Sequence, residues 1–230
     1  LLLMVSHFEV EYRRFNMASM LKSTHLLNVL LITMLSTGIY ANTLSNGFVY
    51  DDITVLGRVK SGEDIYKLFT REYFRISGEA SYRPIVTITY FIDYKLFEFS
   101  TWGYHLTNII LHALNGILFY IFLYRASTIY GLFSENSFPI LVTCLLFTAH
   151  PVLTEAVNVI SYREDLLVFF FLFLSFNFYL LLHVTDSFLK KFALYILSSI
   201  CYILALFSKE MAATFPLLLL LLLFSQFLRT

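Results

Sequence analysis

The chain of 230 residues is 58% hydrophobic, has a mean hydropathy of +0.73 and contains only 14% charged residues. Soluble domains usually carry about 25% charged residues, so this composition excludes an ordinary soluble protein and predicts an all-α multi-pass membrane protein. The formal net charge is zero, and no basic run is long enough to follow a phosphate backbone. We therefore expect no nucleic-acid partner.

The first apolar run is predicted to be a retained membrane anchor. It covers residues 26–44 and follows residues 1–25, which we interpret as a cytoplasmic leader. The run is longer than the hydrophobic region of a cleaved signal peptide, and it approaches the ~20 residues that cross a bilayer core of ~30 Å. Residues 26–230 are predicted to form one transmembrane module. Because the chain opens on Leu1 and stops directly after a leucine-rich stretch, we expect it to be truncated at the C-terminus.

A long polar segment, residues 45–102, separates the first two spans and is predicted to be an outer loop lying on the membrane. Helical spacing of apolar residues predicts a first amphipathic helix within residues 63–73. Residues 85–99 form an apolar, aromatic-rich run that three charged residues interrupt. This second run is interpreted as an interfacial amphipathic helix rather than a span.

Five later apolar segments bring the prediction to about six transmembrane helices. They cover residues 104–124, 138–149, 166–183, 192–207 and 212–228. The span at residues 138–149 is expected to break at His150-Pro151, because proline removes a backbone donor and restricts the residue before it.

Basic residues in the short flanks of the spans predict that both chain ends are cytoplasmic. Polar clusters from separate parts of the sequence then converge on the outer, or lumenal, face. These are Asp51-Asp52, Arg83, His150, Glu155, Arg163-Glu164-Asp165 and Lys209-Glu210. Their shared location is the strongest sequence evidence for a functional site.

Each cluster also has a purely structural interpretation. Asp51-Asp52 is compatible with a turn after a helix. Carboxylates in Arg163-Glu164-Asp165 suit the positive end of a helix dipole, and Lys209 suits a negative end.

The second span carries a polar stripe. His105, Asn108, His112 and Asn115 are spaced by three and four residues and therefore share one helical face. For the deeper His112 and Asn115 we predict an interhelical hydrogen-bond seam, since polar groups are costly in lipid. His105, nearest the outer end, is a site candidate. No metal site is predicted, because His105 and His112 are ~10 Å apart along the axis and no HExxH pattern occurs.

Several short motifs occur in a specific order along most of the chain. The order resembles the N-terminal membrane part of the transmembrane and tetratricopeptide repeat-containing proteins, which are similar to protein O-mannosyltransferases and belong to the GT-C glycosyltransferases. The resemblance covers about residues 46–216, although no 34-residue repeat period follows. The motifs are Phe48-Val49-Tyr50-Asp51-Asp52, Ser81-Tyr82-Arg83-Pro84, Gly103-Tyr104-His105-Leu106-Thr107-Asn108 with His112, His150-Pro151-Val152-Leu153-Thr154-Glu155-Ala156-Val157, Arg163-Glu164-Asp165-Leu166-Leu167 and Ser208-Lys209-Glu210.

The resemblance implies a partial GT-C-like module. It implies transfer of a sugar, usually mannose, from a polyprenyl- or dolichyl-phosphate donor to a hydroxyl of a protein acceptor. The reaction would take place on the non-cytoplasmic face of an endoplasmic reticulum membrane or of a bacterial or archaeal plasma membrane. It also implies that Asp51 and Asp52 lie at the active site. No cofactor beyond the lipid-linked substrate is expected, and metal dependence stays open.

The residue types fit this chemistry. A carboxylate, Asp51 or Asp52, would accept the proton of the attacking hydroxyl, and cations would hold the departing phosphate. Direct displacement would invert the anomeric centre. Membrane lipid would contact the apolar span faces. The predicted donor- and acceptor-binding residues are Arg83, His105, His150, Glu155, Arg163, Glu164, Lys209 and Glu210.

Two other classes remain open at this point. A transporter or channel subunit would use the polar residues to line a pathway, and paired broken spans would favour it. A non-catalytic membrane assembly partner would keep the fold without the activity.

Overall fold

The computed structural model describes residues 23–59, 65–70, 73–77, 81–130, 137–217 and 220. In these ranges the chain forms helices and turns but no strand, which confirms the predicted all-α class. The α-helices are α1 (Ser23–Tyr40), α2 (Asp52–Val59), α3 (Tyr73–Ser77), α4 (Pro84–Phe97), α5 (Thr101–Tyr130), α6 (Phe138–Thr148), α7 (Thr154–Asn158), α8 (Arg163–His183) and α9 (Phe188–Leu206). Short 3₁₀ helices occupy Ala41–Ser45, Ile65–Phe69, Pro151–Leu153, Ile160–Tyr162 and Glu210–Thr214.

Four segments of the described chain are long and apolar enough to cross a membrane. They are Ser23–Ser45, Thr101–Tyr130, Ile160–His183 and Phe188–Leu206. Helix α6 and the residues that follow the break at His150-Pro151 together form a fifth candidate, bent by 45°. The break is therefore where the sequence predicted it. The sixth predicted span, residues 212–228, lies mostly outside the described residues.

Helix α5 lies at the centre of the bundle, packed against α1, α4, α6 and α8. Close approach depends on Gly116, since a Cβ atom there would lie 2.7 Å from Thr148 Cγ2 and 2.9 Å from Ile32 Cγ2. Small residues allow membrane helices to approach at this distance and so increase their van der Waals contact.

The deeper part of the polar stripe on α5 is an interhelical seam, as predicted. Asn115 Nδ2 donates to the carbonyl oxygen of Leu166 on α8 over 2.9 Å, and His112 Nε2 lies 3.1 Å from the carbonyl oxygen of Thr148 on α6. Each side chain thus satisfies a backbone carbonyl of a neighbouring helix. This matters because no water is available in the bilayer core.

The predicted outer loop folds into a helical layer against one end of the bundle. Apolar residues of α2, α3 and α4 share a core with Tyr104 of α5 and Leu167 of α8. Helix α4 matches the second predicted amphipathic helix, but its face with Val86, Tyr90 and Asp93 is buried against the spans. Of the first predicted helix, residues 63–73, the structure describes a 3₁₀ helix at Ile65–Phe69, a bend at Thr70 and the first residue of α3. Residues 63–64 and 71–72 lie outside the described residues.

The glycine contact gives a direct test of the packing. We expect Gly116→Ala to lower stability by about 1–3 kcal/mol, because the added methyl group overpacks the junction of α1, α5 and α6. The measurement is thermal unfolding of the protein in detergent. Gly38→Ala is the matched control, since a Cβ atom at Gly38 has nothing within 4 Å. Equal melting temperatures for the two variants would show that α5 is not packed this closely.

Candidate active site

Five of the predicted charged residues, Arg83, Glu164, Asp165, Lys209 and Glu210, meet at one end of the bundle. We call them the outer ion-pair cluster, after the orientation predicted from the sequence. Arg83 lies just before α4, and its Nη1 is 2.7 Å from Glu164 Oε1 at the start of α8. Its Nη2 is 3.0 Å from Glu210 Oε1, beyond the end of α9. Lys209 Nζ is 2.5 Å from Asp165 Oδ1. Three distant parts of the sequence therefore join here, as the topology predicted.

The cluster is graded from buried to exposed. The side chain of Glu164 is only 8% exposed, that of Arg83 is 16% exposed, and that of Glu210 is 70% exposed. The hydrogen bond from Arg83 lowers the pKa of the Glu210 carboxyl below its ordinary value. Arg83 thus bridges a buried carboxylate and a solvent-accessible one.

Arg163, the neighbour of Glu164, belongs to a separate buried arginine cluster. Its side chain is 0% exposed, and its Nη1 lies 2.6 Å from Asp93 Oδ2 on α4. Nε donates to Asn108 Oδ1 over 2.7 Å, and Nη2 donates to the Tyr104 carbonyl oxygen over 3.1 Å. The donors of this guanidinium are directed at protein groups, away from solvent.

Asp93, the partner of Arg163, is not among the site residues predicted from the sequence. The hydroxyl of Thr107 donates to its Oδ1 over 2.8 Å. Burial raises the pKa of the Asp93 carboxyl above its ordinary value, while Arg163 and Thr107 favour the ionised form. A carboxylate that interrupts an apolar, aromatic run was the only sequence signal for it, and the whole run was predicted to be an interfacial amphipathic helix.

The two adjacent aspartates have different environments. Asp52 is fully buried, and its two carboxylate oxygens accept hydrogen bonds from the backbone N–H groups of Val49, at 3.0 Å, and Ser161, at 2.7 Å. Asp51 is exposed. Because Asp52 is bonded to Ser161, their chain neighbours Asp51 and Tyr162 lie in one region, together with Glu155. Asp52 therefore fixes the loop to the turn before α8, while Asp51 remains accessible.

Neither histidine candidate is a member of the ion pairs described above. His105 is fully buried near the backbone of Asn46 and Gly47 and near the Asp52 carboxylate. Neither of its ring nitrogens forms a hydrogen bond with another described residue. His150 accepts a hydrogen bond from Val152 N over 3.2 Å and so caps the turn at the helix break. In the described ranges no three His, Cys, Asp or Glu side chains are grouped closely enough to hold a metal ion.

The fold and site define a class: a helical multi-pass membrane protein with an accessible carboxylate and an arginine-lysine-carboxylate cluster at one end of its spans. Sequence comparison then gives particular relatives. The chain is 33% identical over 187 residues to protein O-mannosyl-transferase F38B6.6 of Caenorhabditis elegans, covering 77% of this chain and 26% of that protein. It is 30% identical over 160 residues to protein O-mannosyl-transferase TMTC3 of Homo sapiens, covering 66% of this chain and 17% of that protein. It is also 30% identical over 164 residues to protein O-mannosyl-transferase TMTC2 of Mus musculus, covering 64% of this chain and 18% of that protein.

These relatives confirm the resemblance predicted from the motifs. The chain spans about a quarter, or less, of the length of these relatives. No family model matches the chain, and no solved structure matches it.

The link between Arg83 and Glu210 has a testable pH dependence. A carboxyl group whose pKa falls on folding stabilises the protein above its ordinary pKa, and this contribution is lost as pH falls through the lowered value. We expect Glu210→Gln to be less stable than the unsubstituted protein at neutral pH, by less than about 1 kcal/mol because the pair is exposed. The difference should begin to shrink near the ordinary glutamate pKa of about 4.3 and vanish once pH falls below the lowered pKa of Glu210.

Thermal unfolding in detergent between pH 7 and pH 3 measures this difference. Asp186→Asn serves as the control, since Asp186 is exposed and lies at the opposite end of α8 from the cluster. A Glu210→Gln effect that stays constant over the whole pH range would contradict the assigned ion pair.

Proposed function

We propose that this chain is part of a protein O-mannosyltransferase that uses a polyprenyl- or dolichyl-phosphate mannose donor. The names of the relatives support the reaction class. The observation that carries the proposal is the difference between the two adjacent aspartates: Asp52 is held by backbone hydrogen bonds, whereas Asp51 is exposed. Because the relatives are longer than this chain, the proposed activity is that of the whole protein.

Asp51 is proposed as the general base. It would accept the proton of a protein hydroxyl while the hydroxyl oxygen forms a bond to the anomeric carbon of the sugar. The bond from that carbon to the phosphate oxygen breaks, and the lipid phosphate leaves with the electron pair. Attack opposite the leaving group inverts the anomeric centre, as a GT-C type enzyme of the inverting kind would require.

Asp52 is proposed as the positioning residue for this step. Both of its carboxylate oxygens accept hydrogen bonds from the N–H groups of Val49 and Ser161, so it is poorly placed to take the proton of an acceptor hydroxyl. The same bonds fix the backbone on which Asp51 stands. Preorganisation of this kind is a large part of how enzymes lower a barrier.

Arg83 is the best candidate for holding the lipid phosphate. Its Nε and Nη2 both donate to the Glu210 carboxylate, at 3.3 and 3.0 Å, and this paired geometry is also the one in which arginine binds phosphate. Glu210 is the most exposed carboxylate of the outer ion-pair cluster, so a phosphate could replace it without uncovering a buried charge. Lys209 would add a second positive charge, whereas the buried Arg163 would act by positioning its neighbours.

The remaining predicted residues have supporting roles in this proposal. Glu164 would orient Arg83, to which it is bonded, and Glu155 would lie beside the acceptor hydroxyl near Tyr162. His105 and His150 would shape the loop and the helix break around them. The site would face the endoplasmic reticulum lumen or the outside of a bacterial or archaeal cell.

The seam on α5 bears on the transporter hypothesis. In the described bundle His112 and Asn115 are bonded to backbone carbonyls of neighbouring helices, so these two side chains do not line a polar pathway. The non-catalytic assembly partner is separated from the enzyme by the activity measurement below.

We expect Asp51→Asn to reduce sugar transfer by roughly 10²–10⁴-fold while folding and donor binding persist, because the change removes the base but keeps the shape of the side chain. Asp52→Asn should instead lower stability, since it weakens the hydrogen bonds that Asp52 accepts from the backbone N–H groups of Val49 and Ser161. The assay is mannose transfer from a polyprenyl-phosphate donor to a protein acceptor by the complete protein in detergent, with expression matched.

Asp186→Asn is again the control, because it removes an exposed carboxylate far from the site. Near-normal transfer by Asp51→Asn would remove Asp51 from the catalytic role. Wild-type protein that folds and binds the donor without transferring sugar would place the assembly-partner hypothesis first.

A further inference from the structure

A second candidate site lies at the opposite end of the bundle, where α8 ends and α9 begins. A pocket of ≈ 440 Å³ opens there between the two helices, within the ~300–1,000 Å³ typical of ligand pockets. Its walls carry Tyr179 and His183 of α8 together with Phe188, Lys191, Phe192 and Tyr195 of α9. None of these residues belongs to the outer ion-pair cluster or to the buried arginine cluster.

The polar groups of the pocket are cationic or hydrogen-bond donors. Lys191 is exposed and forms no ion pair among the residues that the structure describes, in contrast to Lys209 at the other end. Lys191 and His183 line the same pocket, one from each helix. A phosphate group placed between them would receive hydrogen bonds from both and would compensate the lysine charge.

The apolar groups of the pocket are placed as in the interfacial belt of a membrane protein. Both helices are candidate membrane spans, so their shared turn lies at a membrane–water boundary. Aromatic residues at this depth contact lipid headgroups. Phe188 and Tyr195 are 80% and 63% exposed. The side of α9 that is not covered by the bundle continues with the exposed residues Leu197, Ile200 and Ile203. Acyl chains would find an apolar surface directly beside the cations.

We propose that this pocket binds the headgroup of an anionic phospholipid, with its phosphate between Lys191 and His183 and its chains along α9. With the predicted orientation, the site faces the cytoplasmic leaflet, which carries the anionic lipids in cells. The bound lipid would contact both α8 and α9 where the two helices meet. The proposal does not depend on the transferase activity, because it shares no residue with the proposed catalytic site.

Two neighbouring lysines make a matched test possible. Lys190 and Lys191 are both exposed and carry the same charge, but only Lys191 lines the pocket. We expect Lys191→Gln to weaken binding of a short-chain phosphatidylserine about tenfold, the loss of one charge-assisted hydrogen bond. Lys190→Gln should change it by less than about twofold, and Lys191→Arg should retain most of it. Native mass spectrometry of the protein in neutral detergent counts the bound lipids.

Three further arms separate the possible results. Phosphatidylcholine of the same chain length should bind more weakly than phosphatidylserine. Tyr195→Ala should weaken binding of both lipids, since it removes part of the apolar wall. Millimolar inorganic phosphate should not displace the lipid. Equal losses in the Lys190 and Lys191 variants, no preference for the anionic lipid, or displacement by free phosphate would each overturn the proposal.

Discussion

The arrangement of this protein depends on the buried ion pair between Arg163 and Asp93. Burying a charge is costly unless it is paired and its hydrogen bonds are satisfied. Here the guanidinium is surrounded by Asp93 and Thr89 of α4 and by Asn108 and the Tyr104 carbonyl of α5. Three helices are therefore tied to one side chain, at the junction between the spans and the helical layer that covers them.

This junction determines where the accessible groups lie. Because α4 is held against the start of α8, Arg83 at the N-terminus of α4 reaches Glu164, the residue after Arg163. The turn before α8 also provides the Ser161 N–H that holds Asp52. Buried polar contacts thus position Arg83 and Asp51, the two groups proposed to act on the donor and the acceptor.

The sequence predicted the features that depend on local pattern. Hydropathy located the described spans, proline located the break after α6, and the spacing of His112 and Asn115 indicated the seam. Convergence of the charged clusters followed from the alternation of the spans. What pattern does not contain is the direction of each side chain: Asp51 and Asp52 are equivalent in sequence, and they differ because a backbone N–H located 109 residues later bonds one of them. Arg163 was likewise predicted to bind the donor, whereas the structure pairs it with Asp93. The sequence could not identify this partner, because the buried face of the run that contains Asp93 is set by tertiary packing.

The role of Arg163 as the anchor of the site can be measured by a double-mutant cycle. Arg163→Met, Asp93→Leu and the double variant are compared by unfolding in detergent. Each single variant should lose ~3–5 kcal/mol, because it leaves one buried charge without its partner, and the double variant should recover most of this loss. Single losses that simply add in the double variant would contradict the account, since Arg163 and Asp93 would then stabilise the protein independently.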